Sequence, residues 1–279
     1  MIFWRIVDNR VLPVQEVDTL GFEESEGMRI PDEYLQEQEF VIMRACHGIG
    51  DYGIISAMPR LLKQKYPKCG VFLPSINLYR KLWGRDNKIV ESIYKNNPYV
   101  DGFVDSVKGD IFHDHYRVWN KDKSDIPLVK QMLRFWQFEE DEMKDCLPEI
   151  YWTTKEKTLG NDIIKDVVGD EDYGCLMISD RFGQDDKKFN PKTYEKHHSK
   201  LSKLLKENDY PYFYWSYKPI KELGFDFKKG LDLRNMDLRI QLYIKSKAKV
   251  NVGIQCGTTQ CISRSVSYTH LTLPTTLRV

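Results

Sequence analysis

The chain has 279 residues, enough for two domains of ordinary size. Its 42 basic and 41 acidic residues nearly cancel, to a formal charge of +1, which argues against a dedicated nucleic-acid binder. No run of about 18 apolar residues occurs and no basic-then-apolar leader opens the chain, so neither a membrane span nor a secretory signal is expected.

An apolar content of 41% and an aromatic content of 13% suit a globular protein with a real core. Cys46, Cys69, Cys146, Cys175, Cys256 and Cys261 form no CxxC pair. In a chain this long they read as reduced cytosolic thiols rather than a disulfide framework or a zinc site.

Residues 1–38 hold an apolar start and then an acidic stretch, read as a short strand or arm with a linker. The apolar run Phe40 to Met43 has the pattern of a strand covered on both faces. A glycine-rich turn, His47-Gly48-Ile49-Gly50-Asp51, follows. Then comes a helix that puts Ile54, Ile55, Met58, Leu61 and Leu62 on one face. Cys69 to Leu73 is a second strand and Tyr99 to Val104 a third, with helices at Leu78 to Trp83 and Lys88 to Lys95 between them. Ile126 to Phe138 reads as a helix, Leu147 to Trp152 as extended, and Lys155 to Val168 as a helix broken by the turn at 169–174. A second series then begins: strand Cys175 to Ser179, polar loop 180–190, helix Tyr194 to Glu207, aromatic strand Tyr210 to Tyr217, helix Ile240 to Ser246 and strand Lys249 to Ile254. Such alternation implies parallel βαβ units.

Asp51 is the first candidate for chemistry. At the mouth of a helix, after a strand, its charge is favoured by the helix dipole and the free N–H groups. Open α/β sheets bind ligands at that end of their strands. Two roles are open to it: a helix N-cap, or a base that takes a proton. Gly48 and Gly50 let the backbone turn and leave room for a ligand. Gly48-x-Gly50-x-x-Gly53 also fits the dinucleotide fingerprint, but Leu73 to Asn77 lacks the acid expected at the end of the next strand. An NAD-dependent oxidoreductase is therefore a distant alternative.

Two further stretches are candidates. Lys188, in Asp186-Lys-Lys-Phe-Asn-Pro-Lys-Thr-Tyr194, lies near a predicted helix start, where point charge and free N–H groups make an anion site. The alternative is a solvated basic loop. Gln255-Cys-Gly-Thr-Thr-Gln260 follows a strand, and Thr258 and Thr259 at a predicted helix start suit phosphate contact. His113-Asp114-His115 lacks a third metal ligand and reads as a polar loop. His197-His198 reads as a solvated helix face, and the aromatic run 210–217 as a core strand.

Gly48-Ile-Gly-Asp51, the internal Pro59, the basic stretch ending Tyr66-Pro67 and Asn97-Pro-Tyr-Val-Asp101 together resemble glycosyltransferase family 9, the ADP-heptose:lipopolysaccharide heptosyltransferase-like enzymes. The resemblance runs from about Glu39 to Arg264 and weakens in the second half. It implies an α/β fold of GT-B type, two Rossmann-like domains facing a cleft, with boundaries at 39–160 and 161–264. It implies a metal-independent, cofactor-free transfer with inversion. The donor is a nucleotide sugar and the acceptor a glycan or glycolipid. No nucleic acid partner is implied; the place is cytoplasmic, with at most peripheral association at the inner face of the membrane. Asp51 falls on the family's catalytic position, Lys188 on its phosphate-contacting lysine, and Gly257 on the glycine of its donor loop. Gln255 and Gln260 stand where the family has Asp and His, which motivates a rival reading as a non-catalytic sugar- or nucleotide-binding protein. Ser265 to Val279 resembles a translated sequencing-adaptor read-through, so the second domain is expected to be incomplete.

Overall fold

The computed structural model describes residues 3–7, 10–14, 32–43, 48–84, 88–106, 111–112, 128–135, 137–178, 203, 211–216, 229–253, 258, 261–262 and 269–271. The chain divides into two compact units, Met1–Tyr151 and Trp152–Val279. No helix among the described residues is long and apolar enough to cross a membrane.

The first unit opens with an antiparallel pair, β1 (Phe3–Val7) and β2 (Arg10–Val14), in the register Phe3 with Val14 and Val7 with Arg10. The short helix α1 (Asp32–Leu35) precedes β3 (Glu39–Val41). Around β3 lies a four-stranded parallel sheet with β4 (Gly70–Pro74), β5 (Gly102–Val104) and β6 (Ile111–Phe112), in the order β5-β4-β3-β6. Phe40, Val41 and Ile42 are fully buried, as an apolar run at the centre of a parallel sheet demands.

The helix expected after the glycine turn is two helices, α2 (Ile49–Gly53) and α3 (Met58–Lys65). Pro59 explains the break: it has no N–H to continue the ladder. Around it the chain tightens into three-apart bonds, Ser56 N–H to Gly53 O and Met58 N–H to Ile55 O, before Leu61 N–H to Ala57 O restores the helical pattern. The apolar face survives, with Ile55, Met58, Leu61 and Leu62 buried. Two more helices, α4 (Ile76–Trp83) and α5 (Lys88–Tyr94), follow β4. Ser75 caps α4 by accepting from Leu78 N–H at 3.1 Å, and Gly84 ends it at φ 65°, a conformation that favours glycine. Tyr52 packs edge-to-face against Tyr79 and Tyr94, so α2 is locked to both helices.

The Asn97 to Asp101 stretch is a clip. Asn97 Oδ1 accepts from Tyr99 N–H at 3.0 Å, closing a turn on itself. Asp101 Oδ2 accepts from Val71 N–H at 2.7 Å and pairs with Lys63 Nζ at 2.6 Å. These bonds bring β5 alongside β4. Helix α6 (Leu128–Phe135) and a 3₁₀ turn (Glu140–Met143) complete the unit. The run 144–151 is pinned to α3 through Arg60, which donates to Glu149 Oε2 at 2.9 Å and to the Asp145 carbonyl at 2.6 Å.

The second unit begins with α7 (Thr154–Val168), so position 160 falls inside this helix. Thr153 and Glu156 cap it reciprocally: Thr153 Oγ1 accepts from Glu156 N–H at 3.1 Å, and Glu156 Oε2 from Thr153 N–H at 2.7 Å. A five-stranded parallel sheet follows, formed by β7 (Gly174–Ile178), β8 (Tyr212–Ser216), β9 (Gly230–Asp232), β10 (Val250–Gly253) and β11 (Thr269–Leu271). Its order is β11-β10-β7-β8-β9. Helix α8 (Leu238–Lys247), capped by Asp237 Oδ1 on Arg239 N–H at 2.8 Å, packs on this sheet and against α7. Cys175, Phe213, Ile240 and Ile244 form the core between sheet and helix. The aromatic strand is a core strand, with Tyr212 and Phe213 buried. Both units are thus α/β with wholly parallel main sheets. The helix expected over 194–207 and the histidines at 113, 115, 197 and 198 lie outside the described residues, apart from Lys203.

Candidate functional site

Strand order locates the crevices. In the first sheet the chain runs outward from β3 to β4 to β5 and then crosses back, so β6 lies on the other side of β3. In the second it runs from β7 to β8 to β9, and β10 lies on the other side of β7. Each reversal is a switch point, the place in an open α/β sheet where ligands bind at the carboxyl ends of the strands. The chain leaving β3 leads to Gly48, Gly50 and Asp51. That leaving β7 leads to Lys188, and that leaving β10 leads to Gly257, Thr258 and Thr259. Lys188, Gly257 and Thr259 lie outside the described residues.

Gly48, not Asp51, is the N-cap of α2, because helical geometry begins at Ile49. Asp51 is the third helical residue, and its carboxylate reaches back: Gly48 N–H donates to Asp51 Oδ2 at 2.9 Å, while Asp51 N–H donates to Gly48 O at 3.1 Å. The backbone of Gly48, at φ −74° and ψ 147°, is one any residue adopts. What requires glycine is space. A Cβ built there would stand 2.6 Å from Asp51 Oδ2. The carboxylate is partly buried in the first turn of a helix, where its charge is favoured. A carboxylate held this way can accept a proton from a hydroxyl brought within hydrogen-bond reach.

This arrangement also bears on the dinucleotide alternative. The fingerprint needs the first turn of the helix open to a pyrophosphate. Here a carboxylate already occupies the Gly48 N–H, and its charge repels a second anion. Gly53, the third glycine of the pattern, closes α2 rather than lying within a long helix.

In the second unit Thr258 is buried, and its Oγ1 accepts from Lys245 Nζ at 2.8 Å. Lys245 lies on α8 and is 1% exposed. Its ammonium stands 5.2 Å from the centre of the Trp215 ring. Trp215 is the penultimate residue of β8, so this cation lies toward the carboxyl edge of the sheet. Lys245 escapes a reading of the sequence because Gln241 and Lys245, four apart, mimic the solvent face of an amphipathic helix. The helix is in fact buried from Arg239 to Ser246.

Thiol chemistry is disfavoured at the described cysteines. Cys69, Cys146, Cys175 and Cys261 are buried and free. Burial pushes the Cys175 thiol up to about 12 and the Cys69 thiol to about 11, so neither is a thiolate at neutral pH. Among the described residues no group of three His, Cys, Asp or Glu side chains gathers as a metal ion needs.

No protein-family model and no curated protein matches this sequence. Among solved structures, the chain is similar to the glycosyl transferase family 9 protein from Veillonella parvula DSM 2008. The two are 9% identical, with a TM-score of 0.48 over 82% of this chain and 78% of that one. It is also similar to the E. coli ADP-heptose lps heptosyltransferase II, at 13% identity and TM-score 0.48 over 82% of each chain. A third is E. coli heptosyltransferase WaaC with ADP-2-deoxy-2-fluoro heptose, at 13% identity and TM-score 0.42 over 82% of this chain and 86% of that one.

Proposed function

We propose that this protein is an inverting glycosyltransferase of GT-B type, with Asp51 as its general base. The observation that carries the reading is the Gly48–Asp51 clasp: a carboxylate fixed beside the switch point of a parallel sheet, on a glycine that leaves it room. The motif resemblance to family 9 supports the same role for Asp51. In this reading the first unit takes the acceptor, a glycan or glycolipid of lipopolysaccharide type. The second takes a nucleotide sugar, for which heptose is the first candidate.

The chemistry is a single displacement. As the acceptor hydroxyl approaches the anomeric carbon, its proton passes to Asp51. Its oxygen forms the new glycosidic bond with inversion, and the bond to the diphosphate breaks with its electron pair going to the departing nucleoside diphosphate. General-base help of this kind supplies a factor of roughly 10² to 10⁴. Charge building on the leaving group calls for donors and cations, the role given to Lys188, Gly257, Thr258 and Thr259. No metal or cofactor enters the reading, and the place of action is the cytoplasm, with at most peripheral membrane contact.

Gln255 and Gln260 favour a second reading, a non-catalytic sugar- or nucleotide-binding protein. Incubation of the full chain with ADP-heptose and other nucleotide sugars, without acceptor, separates the two. Slow release of nucleoside diphosphate supports the transferase. Tight binding without release supports the binding protein, and neither binding nor release with any donor overturns both.

A further inference from the structure

Asp51 rides on a helix of five residues, α2, about 7 Å long. A helix so short does not hold itself, and its orientation is set by what is tied to it. The last carbonyls of a helix find no partner inside it. Here two buried hydroxyls reach the last two. Tyr94 Oη donates to Tyr52 O at 3.2 Å, and Ser56 Oγ donates to Gly53 O at 2.7 Å. Tyr94 is 1% exposed and Ser56 not at all. Ser56 Oγ also accepts from Glu149 N–H at 2.8 Å, which joins the end of α2 to the run 144–151. That run is a firm anchor, because the Glu149 carboxylate accepts from Arg60 Nε at 2.9 Å and from the Tyr151 hydroxyl at 2.9 Å. The Tyr52 ring, packed on Tyr79 and Tyr94, holds α2 against α4 and α5. Ring packing leaves rotation of the helix about its own axis soft; hydrogen bonds are directional and fix it.

We propose that Ser56 and Tyr94 are positioning residues for Asp51, holding the far end of α2 so that the carboxylate near its start is aimed at the reacting hydroxyl. The inference rests on the reading of Asp51 as general base. Each hydroxyl acts through a backbone carbonyl, one at Tyr52 and one at Gly53, immediately after Asp51 in the same helix. The Gly48 N–H fixes the carboxylate relative to the first turn of α2. Ser56 and Tyr94 fix that turn relative to the run 144–151 and to α5. A general base must lie within about 2.6–3.2 Å of the atom whose proton it takes. A displacement of about 1 Å can cost 10²-fold in rate. The family resemblance gives a role to Asp51 and none to Ser56 or Tyr94.

The test uses the full chain with ADP-heptose, water standing in for the acceptor hydroxyl, and follows the release of ADP. The variants are Ser56→Ala, Tyr94→Phe, Asp51→Asn, and each of the first two combined with Asp51→Asn. Removing either hydroxyl is expected to lower kcat about tenfold while KM for ADP-heptose stays within about twofold. In the Asp51→Asn background neither change should lower kcat further, because no base is left to misplace. Hydrogen exchange without ligand is expected to quicken at the Gly48 and Asp51 amides in Ser56→Ala and Tyr94→Phe, and to stay unchanged over 174–178 and 250–253. A lower melting temperature with kcat unchanged means that the hydroxyls only stabilise the fold, and overturns the inference. So do losses that recur in full in the Asp51→Asn background, or unchanged exchange at both amides. If Ser56→Ala, which strands the Glu149 N–H, does not fold, Tyr94→Phe decides by the same readings. Should the parent release no ADP, or Asp51→Asn release it as fast, the base reading fails instead, and the exchange result alone then decides whether the two hydroxyls hold α2.

Discussion

Gly48 and Asp51 occupy one another's space: the Asp51 carboxylate accepts the Gly48 N–H at 2.9 Å and fills the volume a Cβ at position 48 would need, 2.6 Å from Oδ2. Gly48→Ala therefore acts on the carboxylate rather than on the backbone. It removes a bond worth about 1–2 kcal/mol, offset by roughly 0.4–1 kcal/mol from the stiffer unfolded chain. In an Asp51→Ala background the clash is absent, and the same change should stabilise by about 0.4–1 kcal/mol. Urea melts of the four proteins measure this coupling. Equal effects of Gly48→Ala in both backgrounds would contradict the clasp.

Gly160 sits in the middle of α7, where propensity alone says that alanine is better by about 1 kcal/mol. A Cβ there would meet the Tyr243 ring at 2.3 Å. Tyr243 cannot swing away freely, since its hydroxyl donates to Asn161 Oδ1 at 2.9 Å and its ring packs on Trp152 at 5.4 Å. Overpacking of this kind costs about 1–3 kcal/mol, so it wins. Thermal melts should show Gly160→Ala less stable than the parent; a gain in stability would mean that the two helices part easily.

The central strands, the βα alternation and the placing of Asp51 after β3 were legible in the sequence. Apolar runs such as Phe40 to Met43 and Cys175 to Ile178 signal buried parallel strands from composition alone. The short elements were not. Gly230–Asp232 and Ile111–Phe112 carry too few residues to show a period, and they form because a neighbouring strand offers its edge. Thr269–Leu271 lies in the segment that resembles a sequencing-adaptor read-through, where no strand is expected. The Gly48–Asp51 pairing had a sequence signal in the three-residue spacing, but glycine hid it, because a capping box is sought with Ser or Thr at its head. Lys245 had none, because burial of one lysine depends on what a distant segment brings to it.

Glu156 is held at about 2, well below the usual carboxylate range, first by its hydrogen bond to Arg239 and then by the Thr153 backbone. Arg239 donates to it through Nε at 2.6 Å and Nη2 at 3.0 Å, and both side chains are largely buried. The unfolded value is about 4.3, so the folded state holds this proton less tightly. The stabilisation is therefore complete above about pH 5 and is lost as pH falls toward 2. Glu156→Gln should cost about 2 kcal/mol at pH 7 and progressively less below pH 5. A difference from the parent that stays constant between pH 7 and pH 3 would remove Glu156 from the acid response.

Turnover of Asp51→Asn tests the catalytic role most directly. Asparagine still offers an oxygen to the Gly48 N–H, and the lost charge at the helix start costs about 0.3–1 kcal/mol, so the melt should shift little. The amide cannot take a proton at neutral pH. With a competent nucleotide-sugar donor and its acceptor, turnover should fall about 10²-fold or more while donor affinity holds. Undiminished turnover in a folded Asp51→Asn protein would contradict the account and leave Asp51 as no more than the residue that closes the first turn of α2.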